Sequence, residues 1–366
     1  MRIAFTHAYC WPEVRRGAER YTQELGAALV ARGHEVTILS SAWGPADTVL
    51  DGVRTVRLRR FRRNDYAHEA DFARRLYPRL LTGRWDVVHS MGRHDALASI
   101  RAASLRPRHT VLTDLGLPSR EWWVTQGREG AVVERVVAGI DTYGCMSRFA
   151  LEFLARDYGR TDGVILPGGV ELGRFTPAEH REARPTLLSS GALTEPRKGL
   201  SLLLEAVALL AGDEPDVQLW LSGPGDPTEL LAAAPAAARE RTKVLDLGDP
   251  KAVHERYAHA WATVLPSMYD SFGMALVESL ACGTPLVVTT HGAPKELVEE
   301  DVTGVLCEPG DAAGLAKACR RALALAAVPT TKEACRASAA AFDWRGAVAP
   351  AAEAIYQRPI GTRRAR

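Results

Sequence analysis

Short apolar runs rich in β-branched residues alternate along the chain with longer stretches whose apolar residues recur every three or four positions. A parallel sheet imposes that alternation, because its strands are buried on both faces and each needs a crossover helix to bring the chain back. The run RIAFTH (2–7) predicts a first strand, and GAERYTQELGAALVARGH predicts a helix with Ala18, Tyr21, Leu25, Ala28 and Leu29 on one face. Gly33 ends that helix and EVTILS (35–40) is the next strand. DVVHS (86–90), HTVLT (109–113), GIDTYGCMS (139–147) and GVILPGG (163–169) extend the same sheet.

After the polar segment GRFTPAEHREARP the pattern restarts with TLLSSG (186–191) and runs through VQLWLSG (217–223), KVLDLG (243–248), ATVLPS (262–267) and PLVVTT (285–290). The linker is expected near 174–185, between one Rossmann-like domain over 1–175 and a second over 176–344. No period short enough for a solenoid is visible. Ligands of open α/β sheets sit off the carboxyl ends of the strands, so chemistry is expected in the post-strand loops and in the cleft between two such domains.

With 366 residues, 46% apolar and 25% charged, the chain is long enough for two cores. No window reaches the roughly 18 uninterrupted apolar residues of a membrane span. The start already reads as a strand rather than a leader, so the mature chain is expected to begin at Met1, in the cytoplasm. Cys10, Cys145, Cys282, Cys307, Cys319 and Cys335 show no metal-ligand spacing; buried, reduced thiols and no bound metal are expected. The net charge of +2 hides an asymmetry: residues 1–110 hold 19 Arg, no Lys and 11 acids, a balance of +8, against −6 for the rest. A basic front suits an anionic substrate or surface as well as it suits solvated arginines on helices, and no nucleic-acid partner is expected.

Three segments carry candidate chemistry. In RRGAERY, Gly17 sits where the first post-strand loop becomes a helix whose free N–H groups could meet an anion, with Arg16 just before it; a glycine that merely eases the turn into the helix is the plain alternative. SGPGD (222–226) lacks a full G-x-G-x-x-G and reads first as a turn. LTEPRKGLSLLLEAVALL sets Arg197 and Lys198 before an apolar-striped helix, two cations that suit a diphosphate or simply solvent.

The stretch MYDSFGMALVESLACGTPLV places Asp270 and Glu278 eight residues apart around a helix start at Gly273. A helical rise over that spacing is about 12 Å, beyond the roughly 5–9.5 Å of a glycosidase carboxylate pair. The two carboxylates therefore act on different groups: an anion at the helix N-terminus between them and hydroxyls at either end. By pattern alone, Asp270 could equally cap the helix with Ser271, and Glu278 could be a solvated helix residue.

The stretch PSMYDSFGMALVESLACGTPLVVTTHGAPKELVEEDVTGVLCEPGD closely resembles the C-terminal signature of glycosyltransferase family 4, retaining enzymes of the GT-B fold. The family's Glu-x7-Glu is Asp-x7-Glu here. GAERYTQELGAALVARGHEVTIL is similar to the family's first helix and second strand, VILPGGVELGRF to its interdomain segment with Gly168 for Asn, and EPRKGLSLLLEAVALL to its phosphate-binding Lys-Gly helix. The resemblance spans nearly the whole chain and implies an α/β GT-B architecture: two Rossmann-like domains facing across a cleft, with a last helix (about 345–366) packing back on the first.

The resemblance implies that Glu278 accepts the ribose hydroxyls. Backbone N–H groups from Ser271, Phe272, Gly273, Met274 and Ala275 approach the diphosphate and sugar, Asp270 faces the sugar, and Lys198 with Arg197 neutralises the leaving diphosphate. Gly17 and Arg16 complete the donor side, and His94, Asp114 and Leu115 are the acceptor-side candidates. No metal or other cofactor is implied; the donor is a nucleoside-diphosphate sugar, a UDP-sugar in preference to a GDP-sugar.

Three departures bear on the sugar. Ala192 replaces a usual diphosphate Arg, Leu115 stands where a sugar-contacting His is expected, and Asp270 is one methylene shorter than Glu. They suggest a uronate or other modified hexose, or neutral drift around an unchanged reaction.

The expected activity is retaining hexosyl transfer to a small soluble acceptor in secondary-metabolite or antibiotic biosynthesis. The alternatives are a membrane-associated enzyme with a lipid acceptor, and a non-catalytic nucleotide-sugar-binding subunit. The membrane alternative rests on residues 57–81, where Arg residues flank Phe72, Leu76 and Leu80 on a face interrupted by Pro78. No feature of the sequence sets the oligomeric state.

Overall fold

The computed structural model describes residues 1–44, 47–60, 65–246 and 253–359. The chain folds into two compact units, unit 1 being residues 1–169 with the segment from Trp344 onward, and unit 2 residues Val170–Asp343. The first crossing thus falls at 169/170, six residues before the boundary read from the sequence pattern.

Unit 1 is built on β1 (Arg2–Thr6), β2 (Glu35–Ala42), β3 (Thr48–Leu50), β4 (Val53–Arg59), β5 (Val87–Ser90), β6 (His109–Asp114), β7 (Thr142–Cys145) and β8 (Val164–Ile165), in the order β3-β4-β2-β1-β5-β6-β7-β8. All pairings but β3–β4 are parallel. Ile3, Ala4 and Phe5 of the central β1 are fully buried, as a strand covered on both faces requires.

Two strands, β3 and β4, escape the apolar-run reading because arginines interrupt β4. Val53 lies against Gly26 of the helix Gly17–Ala31 and Leu58 packs with Phe72, so β4 is covered on both faces, while the exposed Arg54 and Arg59 break its apolar run. The helix that follows, α2 (Asp65–Thr82), buries Phe72, Leu76 and Leu80 in the unit 1 core. Those side chains are therefore not available to lie on lipid, which corrects the use the membrane alternative makes of them. Of its arginines, Arg62 and Arg63 lie outside the described residues.

Unit 2 carries β9 (Thr186–Ser190), β10 (Gln218–Ser222), β11 (Thr242–Val244), β12 (Ala262–Leu265), β13 (Leu286–Thr289) and β14 (Gly304–Cys307), all parallel, in the order β11-β10-β9-β12-β13-β14. Its core gathers Leu187, Leu219, Val264, Val287 and Val305 under the helix Leu200–Leu210. Residues 247 and 248 of the expected KVLDLG strand lie outside the described residues.

The helix Ala349–Tyr356 joins unit 1, where the Tyr356 hydroxyl lies 2.7 Å from His89 Nδ1 and Glu353 pairs with Arg32 and His34, each at 2.6 Å. Residues 360–366 of the expected C-terminal helix lie outside the described residues. All six cysteines are free and buried. Among the described residues no helix is long and apolar enough to cross a membrane.

Each sheet reverses its strand order once. In unit 1 the chain steps from β1 outward through β2 and β4, then restarts on the other side of β1 with β5; in unit 2 it steps from β9 to β10 and β11, then restarts beside β9 with β12. Adjacent strands whose following loops diverge leave a crevice at their carboxyl ends. Those loops are 7–16 and 91–92 in unit 1, and 191–199 and 266–273 in unit 2.

Candidate functional site

In unit 2 the two post-strand loops at the reversal are held against one another. Arg197 O accepts from Met268 N at 3.1 Å and from Ser267 Oγ at 3.0 Å, and Arg197 Nη1 donates to Tyr269 O at 2.9 Å. Gly199 follows the short turn Pro196–Lys198 in a left-handed conformation, φ 69°, and a Cβ there would come within 2.3 Å of the Pro266 carbonyl oxygen. That contact explains the Lys-Gly pair: only glycine lets the loop close this tightly.

The closure brings Lys198 Nζ to 2.5 Å from Asp270 Oδ2, with Arg197 Nη1 3.7 Å from Asp270 Oδ1. Lys198 and Asp270 side chains are only 16% and 11% exposed, so the pair is a short, charge-assisted contact in a poorly solvated place. Arg197 also pairs with Glu195.

From Asp270 the chain turns into the helix Met274–Ala281, whose N-cap Gly273 is left-handed at φ 96° and contributes no side-chain hydrogen bond. Asp270 therefore does not cap this helix. Its carboxylate is taken by Lys198. The N–H groups of Met274 and Ala275, both half-buried, stand in the first turn of the helix, where backbone donors lack intrahelical acceptors. Ser271 is half-buried, and the Phe272 ring packs at 5.5 Å from Phe342 inside the unit. Glu278 is 3% exposed, so it is no solvated helix residue. SGPGD acts as a brace: Leu193 N donates to Pro224 O at 2.8 Å, tying the β10 loop to the β9 loop.

Unit 1 presents a denser array. Gly17 is the exposed first residue of α1 (Gly17–Ala31), and a Cβ there would meet nothing within 4 Å. Among the described residues no packing asks for glycine at this position. Arg16 donates to Glu19 at 2.8 Å, and His7 Nε2 lies 3.3 Å from the same oxygen. Burial of Glu19 would raise its carboxyl pKa, but the hydrogen bonds from His7 and Arg16 outweigh it and hold the group at about 2.

Asp95, in the first turn of α3 (Arg93–Leu105), behaves oppositely: burial pushes it up to about 6, although Thr6 Oγ1 donates to it at 2.7 Å. His94 Nε2 is 2.8 Å from Glu129 Oε2. Asp114 closes an internal network, accepting from Arg93 at 3.0 Å, from Gly116 N at 3.0 Å and from the Tyr143 hydroxyl at 2.7 Å, while the Arg93 guanidinium lies 3.8 Å from the Trp123 ring centroid. Leu115 is half-buried beside it.

The structure thus brings Lys198, Arg197 and Asp270 into contact within unit 2 and sets His94 and Asp114 into ion pairs within unit 1. Glu19, Asp95 and Arg93 did not emerge from sequence reasoning. For Glu19 a signal existed, since it is a carboxylate three residues after Arg16 on a helix that turns Tyr21, Thr22 and Leu25 inward.

Comparison with known proteins follows the same division. A family model described as "Glycosyltransferase Family 4" matches residues 15–174, and one described as "Glycosyl transferases group 1" matches residues 175–341. A D-inositol 3-phosphate glycosyltransferase from Geodermatophilus obscurus is 32% identical over 239 residues, 59% of this chain and about half, 52%, of its own length. A phosphatidyl-myo-inositol mannosyltransferase from Mycobacterium tuberculosis is 27% identical over 324 residues, covering 84% of this chain and 82% of that protein. Among solved structures, sucrose-phosphate synthase from Thermosynechococcus elongatus superposes with a TM-score of 0.84 at 22% identity over 97% of this chain and 98% of its own. Anabaena HepE in complex with UDP-glucose superposes at 0.76 and 16% identity over 98% and 100%.

Proposed function

We propose that this chain, which belongs to glycosyltransferase family 4 and has the GT-B fold of two parallel-sheet α/β domains, is a retaining, metal-independent hexosyltransferase. Its donor is a UDP-sugar, a uronate or otherwise modified hexose, and its acceptor is a small soluble molecule of secondary metabolism. The observation that carries this reading is the 2.5 Å contact between Lys198 and Asp270 at the strand-order reversal of unit 2, immediately before the helix that holds Glu278.

In the free chain Lys198 neutralises Asp270. A bound donor replaces that arrangement: its diphosphate takes the Lys198 ammonium, with Arg197 and the first N–H groups of the Met274–Ala281 helix, and its ribose hydroxyls donate to Glu278. Asp270, released from its cation, then faces the sugar. Positive charge grows at the anomeric carbon as the bond to the β-phosphate oxygen lengthens, and the carboxylate stabilises it in a site of low exposure. The acceptor oxygen attacks from the face the leaving group vacates, the new C1–O bond forms as the old one breaks, and the acceptor's proton passes to the β-phosphate oxygen.

The donor reading draws support from the UDP-glucose complex of HepE. A lipid acceptor is the second reading, favoured by the phosphatidyl-myo-inositol mannosyltransferase, which aligns with 84% of this chain.

A thermal-shift screen of UDP- and GDP-sugars, with uronate and deoxysugar members, tests the donor. A ligand at a hundred times its Kd stabilises the native state by about 2.7 kcal/mol. Retention and metal independence are read from the anomeric coupling constant of the product and from turnover in chelator. A protein that no nucleotide-sugar shifts, and whose turnover survives Glu278→Ala, would overturn the reading.

A further inference from the structure

Unit 1 holds a cavity of about 210 Å³ beside Trp123. It lies among α4 (Arg120–Thr125), α5 (Arg128–Gly139) and Tyr158, the last residue of α6 (Arg148–Tyr158). Among the described residues its lining includes none of the donor-side or acceptor-side candidates. The walls are fixed by local backbone contacts. Gly127 joins α4 to α5 at φ 59°, a conformation that suits glycine. A Cβ on Gly130 would come within 2.7 Å of the Trp123 carbonyl oxygen, so α4 and α5 meet backbone to backbone. Arg120 N donates to Asp157 Oδ2 at 2.9 Å, which ties the start of α4 to the end of α6.

The charged part of the lining is already engaged: Arg120 and Glu134, both about half exposed, pair with each other at 2.7 Å. The Trp123 and Tyr158 rings, Val124 and Ala131 supply the apolar part. Trp123 is 7% exposed, and among the described residues its buried Nε1 has no hydrogen-bond partner, although Arg93 Cζ lies 3.8 Å from the ring centroid. An indole N–H buried without an acceptor is costly, and a ligand oxygen offered to it removes that cost. Burial, helped by the charge of Glu134, pushes the Tyr158 hydroxyl up to about 12, so it stays protonated and is a donor as well. Size narrows the ligand further. Sites for drug-sized ligands run from roughly 300 Å³ upward, whereas an apolar cavity of about 150 Å³ holds benzene. The space beside Trp123 thus suits one ring with a short substituent. A sugar ring would bring hydroxyls on every side to a lining with few partners left for them, while a flat ring with a single oxygen matches both the aromatic walls and the lone N–H.

We propose that this cavity binds a planar aromatic ring bearing a hydrogen-bond-accepting oxygen, the ring lying among Trp123, Val124, Ala131 and Tyr158 and the oxygen accepting from the Trp123 indole N–H. The ring is either part of the acceptor or a ligand apart from the reaction. Assigning it to the acceptor rests on the transferase reading; the site itself does not.

Titration of the full chain with acetophenone, followed through the tryptophan indole N–H resonances by ¹H–¹⁵N NMR, tests it without any nucleotide. The Trp123 resonance, identified by its loss in Trp123→Phe, is expected to shift downfield and saturate. Toluene, the ring without the carbonyl, is expected to bind about fivefold more weakly, the scale of one hydrogen bond. Ala131→Phe, at an exposed α5 position that lines the cavity, fills the space and weakens acetophenone about tenfold or more, whereas Ala138→Phe, exposed on α5 outside the cavity, leaves binding unchanged. Wild-type positions of the other indole resonances verify that each variant is folded. No saturable shift of the Trp123 resonance, equal binding by the wild type and Ala131→Phe, or toluene binding as tightly as acetophenone overturns the proposal. Incubation with 4-hydroxyacetophenone and UDP-glucose or UDP-glucuronate separates the two sources. Glycosylation of the phenol oxygen with release of UDP, its kcat/KM lowered about tenfold or more by Ala131→Phe, makes the ring part of the acceptor; ring binding without transfer makes it a ligand apart from the reaction. Absence of any nucleotide-sugar binding is read in the thermal-shift screen and counts against the transferase reading alone.

Discussion

The carboxyl edges of the two sheets solve different problems. In unit 2 a lysine and a carboxylate face each other at 2.5 Å across two braced loops, with Arg197 the only other cation near the carboxylate among the described residues. In unit 1 the edge carries Glu19 with Arg16 and His7, Asp95 with Thr6, Arg93 with Asp114 and Tyr143, and His94 with Glu129. A sparse pair can exchange partners when an anion arrives, because only one contact has to be replaced. A dense network holds its shape, because loss of one member leaves others buried without partners. On the proposed function, the unit 2 edge would serve the reaction step and the unit 1 edge the shape of the acceptor.

The largest effect should come from the sparse side. Lys198→Ala is expected to slow acceptor-free hydrolysis of the donor sugar by about 10²–10³, the scale of losing one preorganised charge partner, in a protein that circular dichroism shows still folded. A similar rate loss from Asp95→Ala, with unit 1 folded, would erase the distinction between the two edges.

Glu19 tests the dense side. Its folded pKa, about 2, is below the ordinary value of 4.5, so its contribution is complete above pH 4.5 and is lost as pH falls toward 2. Urea unfolding across that range should show stability dropping by an amount on the order of a few kcal/mol in the wild type, and a much flatter profile in Glu19→Gln.

Asp95 should bend the profile the other way. Its folded value, about 6, lies above the ordinary 3.8, so the folded state holds the proton more tightly and stability declines as pH rises from about 4 to 6. Asp95→Asn removes that decline and should be more stable than the wild type at pH 7.5 by about 1–2 kcal/mol, once the Thr6 hydrogen bond is allowed for. Equal stability at that pH would mean that Thr6 and its surroundings fully support the carboxylate.

The smallest change is predicted for folding at Gly17. A methyl there meets nothing, so Gly17→Ala should alter stability by less than about 0.5 kcal/mol, yet weaken UDP-sugar binding several-fold if the donor passes close to this residue. Unchanged binding would remove Gly17 from the donor side.

How much of this was legible depends on how far apart the partners lie in the chain. The unit 2 site is written in two local segments, 194–199 and 266–278, each a loop running into a helix, so residue spacing alone exposed Lys198, Asp270 and Glu278 as candidates. The unit 1 residues are single letters in separate loops. Tyr9, Trp43 and Arg60 form no motif, and Arg60 sits in a run whose arginines concealed strand β4. Asp114 looked like a candidate because it ends a strand, but only its contacts with Arg93, Gly116 and Tyr143 reveal how fully it is engaged.

By itself the sequence determined the two parallel α/β units, the strand-to-loop-to-helix segments that carry Lys198, Asp270 and Glu278, and the family, since apolar periodicity and short-range turn chemistry are local properties. Only the tertiary structure decided that Lys198 and Asp270, 72 residues apart, touch, that Glu278 is buried, and that Arg16 and Arg60 share the ring of Tyr9. The reason is physical: such contacts depend on which strands lie side by side, and strand order is set by the burial of whole sheets rather than by the residues that meet at their ends.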